Sequence, residues 1–318
     1  MKTPARLRAF AAKADRRVAM TLLALPPRRQ LQAAAAPGIF VLLWSTGFVG
    51  GMYGLSYAPP FAFLAWRFLI VTVITGAVAL LWRAPWPRRP REIGHIAVAG
   101  LLVQGLYPGG VFAALSHGIS PGVSALIVGV QPILTAFFAG PLLGERVSRL
   151  QWLGLAIGFA GVALVVSRSV RFDSASLIGF AACLVALCGI TFGTLYQKRF
   201  CAGLDLRSGV AIQYAAAAVL MLLLTLSFEH RPVEWTGQFV SVLLYLSVAL
   251  SVGAVSLLYW LIRRGAASRV ASLFYLVPPV TAIIAYLFLG ETLGIATLVG
   301  FALAATGVAL VTRSAVRP

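Results

Sequence analysis

Beyond residue 36 the chain is a train of apolar segments about twenty residues long, separated by short polar joints. Ten can be marked out, at 37–56, 60–82, 93–116, 121–143, 149–168, 176–197, 208–228, 238–262, 267–289 and 293–313. A hydrocarbon core of about 30 Å is crossed by roughly 20 apolar residues of helix. In that medium each backbone N–H and C=O must find its partner within the segment, so the pattern predicts helices rather than open strands. The expected fold is all-α and integral to a membrane, with ten transmembrane helices.

The pattern is also duplicated. Residues 125–165 align without a gap on residues 271–311, an offset of 146, and about 15 of the 41 positions are identical. Pro132 falls on Pro278, Thr135 on Thr281, Gly144-Glu145 on Gly290-Glu291, and Gly154 and Gly161 on Gly300 and Gly307. Self-similarity at a fixed offset marks a chain made of two copies of one unit. Each copy, 37–168 and 176–313, holds five segments. An odd number makes the second copy enter the membrane with opposite polarity. Inverted repeats of this kind place a site near the midplane, where the halves meet.

Composition agrees with the pattern. Sixty per cent of residues are hydrophobic and 11% are charged, with eight acids in 318 residues. A soluble domain carries about 25% charged residues, so this chain cannot dress a water-soluble surface. A net charge of +18 raises nucleic acid as a partner, but the placement of the charge argues against it. With the N-terminus in the cytoplasm, twenty-two of the basic residues fall in cytoplasmic segments. Only Arg168, Arg171 and Arg231 fall outside, and Arg67 lies within the second span. That asymmetry is the positive-inside pattern, and it puts both termini in the cytoplasm. The expected partners are a lipid bilayer and a small molecule, with no nucleic acid; nothing requires more than a monomer.

Residues 1–36 carry eight basic residues around a short apolar run at 18–25. That run is too short to span, and the segment reads as a cytoplasmic tail drawn to anionic lipid. A true start at Met20 is the alternative. Cys183, Cys188 and Cys201 have no metal-ligand or disulfide spacing and read as apolar filler. No cofactor motif and no nucleotide-binding loop is present.

Several motifs then converge. Leu43-Trp44-Ser45-Thr46-Gly47-Phe48, Trp66-Arg67-Phe68, Ala114-Leu115, Gln131-Pro132 and Leu143-Gly144-Glu145 stand in the first half. Tyr259-Trp260, Ala267-Ser268-Arg269, Pro278 and Leu289-Gly290-Glu291 stand in the second. Over residues 40–312 the chain resembles the drug/metabolite transporter superfamily, in its ten-helix EamA-type members. Within it the chain looks most like the branch that exports amino acids, aromatic ones included. The resemblance implies a multi-pass protein of a bacterial inner membrane. It also implies a secondary transporter or facilitator that exports amino acids or similar small metabolites by alternating access. Another small metabolite or a drug, an intramembrane enzyme, and a scaffold without transport are the alternatives.

Candidate site residues follow from what is polar or irregular inside the spans. Pro132, Pro278 and Pro279 fall near the middle of the fourth and ninth segments, where a proline removes a backbone bond and kinks a helix. Trp44, Ser45, Gln104, Tyr107, Gln131 and Tyr275 are the candidates for substrate contact, with Thr46 beside them. Polar side chains at that depth face the bundle, either as pocket lining or as helix–helix glue. Arg67 lies about two turns, or roughly 10 Å, into its span. It reads either as an attractor for a carboxylate or as a cap on the carbonyls of a neighbouring helix. Glu145 and Glu291 sit at helix ends and read as caps. No acid lies near the midplane, and of the histidines only His117 qualifies as a proton carrier, close to the outer surface. Movement is therefore expected to run down the substrate's own gradient or by exchange, without a proton carrier.

Overall fold

A computed structural model describes residues 27–143, 148–169, 174–201, 205–257, 261, 273–291 and 294–314. Outside these lie the first 26 residues of the tail, Gly144-Glu145, Tyr259-Trp260 and Ala267-Ser268-Arg269. The described elements are helices: α1 (Pro27–Gly54), α2 (Pro60–Leu81), α3 (Pro90–Ser116), α4 (Pro121–Gly129), α5 (Gln131–Leu143) and α6 (Arg149–Ser169) in the first half. They continue with α7 (Ser174–Phe200), α8 (Leu206–Phe228), α9 (Gly237–Leu257), α10 (Val277–Leu289) and α11 (Ile295–Ser314). There is no strand among the described residues.

Six helices are long and apolar enough to cross a membrane: α1 from Ala35 onward, α2, α3, α7, α8 and α9. Shorter apolar stretches cover Pro121–Thr135, Arg149–Val165, Val277–Leu289 and Ile295–Leu310. Leu80, Leu81, Leu226, Phe228 and Phe288 all stand largely exposed. A soluble domain would bury such side chains, and a membrane protein presents them to lipid. The core proper is aromatic: Phe40, Phe63, Phe68 and Phe239 are each at most 1% exposed.

Helix starts follow local chemistry. Proline opens α2, α3 and α4, where its missing N–H would have had no partner in any case. Ser120 caps α4 by accepting from the Val123 N–H, and Thr236 caps α9 by accepting from the Phe239 N–H. Asp205 caps α8 and pairs with Arg207 at 2.9 Å; hydrogen bonding from that side chain draws its carboxyl down to about 2. No side chain of its own caps α2. The Glu229 carboxylate, at the end of α8, accepts instead from the Phe61 and Ala62 N–H groups, both at 2.7 Å. His117 ends α3 with Nδ1 2.8 Å from the Ala113 carbonyl, a terminal contact rather than a position inside a span. Burial raises the Glu291 carboxyl above the usual range, an effect the Ser120 hydroxyl partly offsets.

Two elements depart from the sequence reading. The first helix begins at Pro27 and runs through Pro37, because residues 30–36 (QLQAAAA) are strong helix formers. The fourth segment is two helices, parted at Val130. Val130 takes φ −82° and ψ 0°; at the same offset of 146, Leu276 takes φ −83° and ψ −15° ahead of α10. Pro132 and Pro278 thus sit in the first turn of a new helix, where they cost no backbone bond. The break precedes them by two residues, which corrects the expectation of a kink at the prolines themselves.

Other irregularities recur at that offset. A wide π-helical stretch occupies Leu101–Leu106 of α3, and another occupies Tyr245–Ala254 of α9. Shifting the first by 146 lands on 247–252, inside the second. The glycine contacts of α6 and α11 recur as well. A Cβ on Gly161 would meet the Gly300 carbonyl at 2.7 Å, and one on Gly307 would meet the Gly154 carbonyl at 2.5 Å. As one index rises the other falls, so α6 and α11 run antiparallel with their backbones in contact.

Candidate functional site

The helices that break or widen, α3, α5, α9 and α10, border a space together with unbroken neighbours. Between α1, α3, α7, α8 and α9 lies a chamber in two lobes of about 120 and 360 Å³. Trp44, Val103, Gln104, Tyr107, Ile190, Tyr214 and Val255 border both lobes. The smaller lobe adds Gly47, Arg67, Phe112 and Ser251. The larger adds Gln131, Pro132, Thr194, Gln197, Gln213, Phe274 and Pro278.

The chamber has an apolar wall and a polar one. Trp44 and Phe274 meet edge to face with centroids 5.2 Å apart, and Phe40 backs them at 5.4 and 5.2 Å. Such rings offer faces and edges to an apolar or aromatic guest. The Trp44 indole and the Tyr107 phenol stand together at the junction of the lobes. Gln131 donates to Thr135 at 3.0 Å and to Thr194 at 3.4 Å, tying α5 to α7. The side-chain amides of Gln104, Gln197 and Gln213 make no hydrogen bond with another described residue, and all three residues border the larger lobe.

The larger lobe reaches Gln197 and Val210, within about a turn of the bundle end that carries Lys198, Arg199 and Asp205. The other end is closed. Phe63 packs on Phe112 at 5.3 Å and on Phe239 at 5.7 Å beneath the α1–α2 turn. The loop after α8 straps that turn: Arg231 donates to the Ser56 carbonyl at 2.5 Å, and the Glu234 N–H donates to the Tyr57 carbonyl at 2.8 Å.

Of the candidates read from sequence, the chamber gathers Trp44, Gln104, Tyr107, Gln131, Pro132, Pro278 and Arg67. Ser45 is elsewhere: it is fully buried and donates to the Val277 carbonyl at 3.3 Å, joining α1 to α10. Thr46 bonds the Leu43 carbonyl and the Tyr245 hydroxyl, each at 2.7 Å. Pro279 does not border either lobe. Tyr275 lies on the short Phe274–Leu276 turn, and its side chain is outside the described set.

Sequence reading missed Ile190, Thr194, Gln213 and Ser251. A signal for three of them was present. The offset of 146 carries Trp44 to Ile190, Phe48 to Thr194 and Arg67 to Gln213, although identity along those helices is too low to announce it.

Comparison with known proteins follows the same two-part division. The pattern of the EamA-like transporter family matches residues 38–167 and again 177–313. A Bacillus subtilis protein named as an uncharacterized transporter, YvbV, is 31% identical over 277 residues, covering 85% of this chain and 88% of its own. A Streptantibioticus cattleyicolor protein, named a probable terminal-alkyne amino-acid exporter, is 31% identical over 258 residues, covering 76% and 82%. A solved crystal structure superposes with a TM-score of 0.62 at 22% identity, over 90% of this chain and 99% of that one; at that identity it speaks for the fold alone.

Proposed function

The chain belongs to the EamA-like transporter family, and from that premise we propose that it exports amino acids or similar small metabolites through the central chamber by alternating access. The observation that carries this reading is the chamber itself: a mixed aromatic and amide cavity of about 360 Å³, bordered by the helices whose backbones break or widen. A cavity of that size and lining suits one small amphiphilic solute. The naming of the Streptantibioticus relative as a probable amino-acid exporter supports the same cargo.

The mechanism rests on ten crossings arranged as two inverted halves, 37–168 and 176–313, behind a basic cytoplasmic tail. The shared offset of the breaks at Val130 and Leu276 supports this arrangement, and so does the antiparallel glycine contact of α6 with α11. In such a fold each half can adopt the other's conformation, and the site then faces the other side. The larger lobe reaches the end rich in Lys and Arg, so this conformation corresponds to one open toward the cytoplasm of a bacterial inner membrane. Opening the far side requires the Phe63–Phe112–Phe239 layer to part and the loop at 229–236 to release the α1–α2 turn.

Purified protein in vesicles loaded with unlabelled amino acids is expected to take up labelled amino acids by counterflow. Collapsing the pH gradient should leave the rate unchanged, since no carboxylate among the described residues borders the chamber. No uptake above empty vesicles contradicts transport; uptake that vanishes with the gradient contradicts the uncoupled mechanism.

A further inference from the structure

Resting on the transport reading, we infer that Arg67 is the carboxylate anchor of the chamber, and that the cargo is a carboxylate-bearing small molecule of neutral or negative net charge. Arg67 is 7% exposed and borders the smaller lobe. A guanidinium has five N–H donors. Two go to the Ser251 hydroxyl oxygen, from Nε at 3.3 Å and Nη2 at 3.0 Å. Ser251 spends its own proton on the Leu246 carbonyl at 3.2 Å, so its oxygen is held as an acceptor and the guanidinium is held in one orientation. The remaining donors make no hydrogen bond with a described residue; the Tyr107 and Tyr214 phenols border the same lobe, and the Phe68 ring lies 5.8 Å from the guanidinium carbon.

The acids among the described residues do not neutralise it. Asp205 is paired with Arg207, Glu229 with the α2 amides and Glu234 with Arg231, and Glu291 lies at the end of α10, after Gly290. Glu92 lies in the first turn of α3, at the opposite end of the bundle. A charge buried away from water is tolerated when an opposite charge meets it. Here a guest's carboxylate supplies that charge, and a planar guanidinium with parallel donors free is the geometry that grips one. A cation in the same place would be repelled. The position related to Arg67 by the repeat is Gln213, neutral and 5% exposed, on the larger lobe. The two stations therefore differ in charge, and a carboxylate is held more firmly at the Arg67 end.

Three probes share a ring and a chain length: 3-phenylpropionate, phenylalanine and 2-phenylethylamine. Equilibrium binding to the full chain in detergent should favour the two carboxylates over the amine by on the order of tenfold to a hundredfold, the range of one charge-assisted hydrogen bond. Arg67→Gln should remove that preference. Ser251→Ala, which keeps the charge but frees its orientation, should weaken the two carboxylates severalfold and leave the amine unchanged. This second variant decides the matter if Arg67→Gln does not fold. Amine binding as tight as the acid, no binding of either carboxylate, or an equal loss of all three probes in Ser251→Ala overturns the inference. Counterflow of solutes lacking a carboxylate would overturn it while leaving transport intact, whereas absence of all flux would overturn the reading beneath it.

Discussion

Gly307→Leu is expected to cost about 3 kcal/mol or more of stability, enough to strip folded protein from the membrane. Its Cβ would stand 2.5 Å from both the Gly154 carbonyl and the Gly158 nitrogen, and 2.7 Å from the Gly158 Cα. All three are backbone atoms, so no rotamer can make room and α6 must move away from α11. Close approach through small residues is the main source of attraction between helices in lipid, where hydrophobic burial between them contributes little. Gly76→Ala is the control. Nothing lies within 4 Å of that added Cβ, and alanine is the better helix former by about 1 kcal/mol. Thermal unfolding in detergent should separate the two, with Gly76→Ala at or above the parent and Gly307→Leu well below it. A Gly307→Leu protein of parental stability would mean that the α6–α11 contact is not close.

Ile190→Trp is expected to bring counterflow down to the level of empty vesicles with little change in stability. Ile190 borders both lobes and is half-buried, so the added ring enters space that is already there. Filling a void need not strain a core, in contrast to the glycine substitution. Tm should stay within about 4 °C of the parent, the shift that roughly 1 kcal/mol produces in a domain of 150–250 residues. Full flux in this variant would place the permeation path elsewhere.

Much of this was legible in the chain because lipid makes the code simple. Segment length and charge asymmetry follow from bilayer thickness and surface potential, and the offset of 146 appears directly in the letters. Trp44, Gln104, Tyr107 and Gln131 could be picked out because polar or amphipathic groups inside apolar helices have few places to go. Ser45 belongs to the same class and went to a helix–helix bond with the Val277 carbonyl; sequence does not distinguish the two fates. Pro132 and Pro278 pointed to a break but not to its position, since a proline starts a helix as readily as it bends one. Ser251 was not legible at all, and Gln213 only through its offset from Arg67. Their importance depends on which face of α8 and α9 turns inward, and helices apolar all round hide their facing.

The central claim is that the two halves lie in the membrane with opposite polarity, and single-cysteine labelling tests it most directly. In a background lacking Cys183, Cys188 and Cys201, Glu145→Cys and Glu291→Cys would each be exposed to a membrane-impermeant maleimide on intact cells. The account predicts that position 291 reacts at once and position 145 only after the membrane is opened. Equal reactivity from one side at both positions would contradict it.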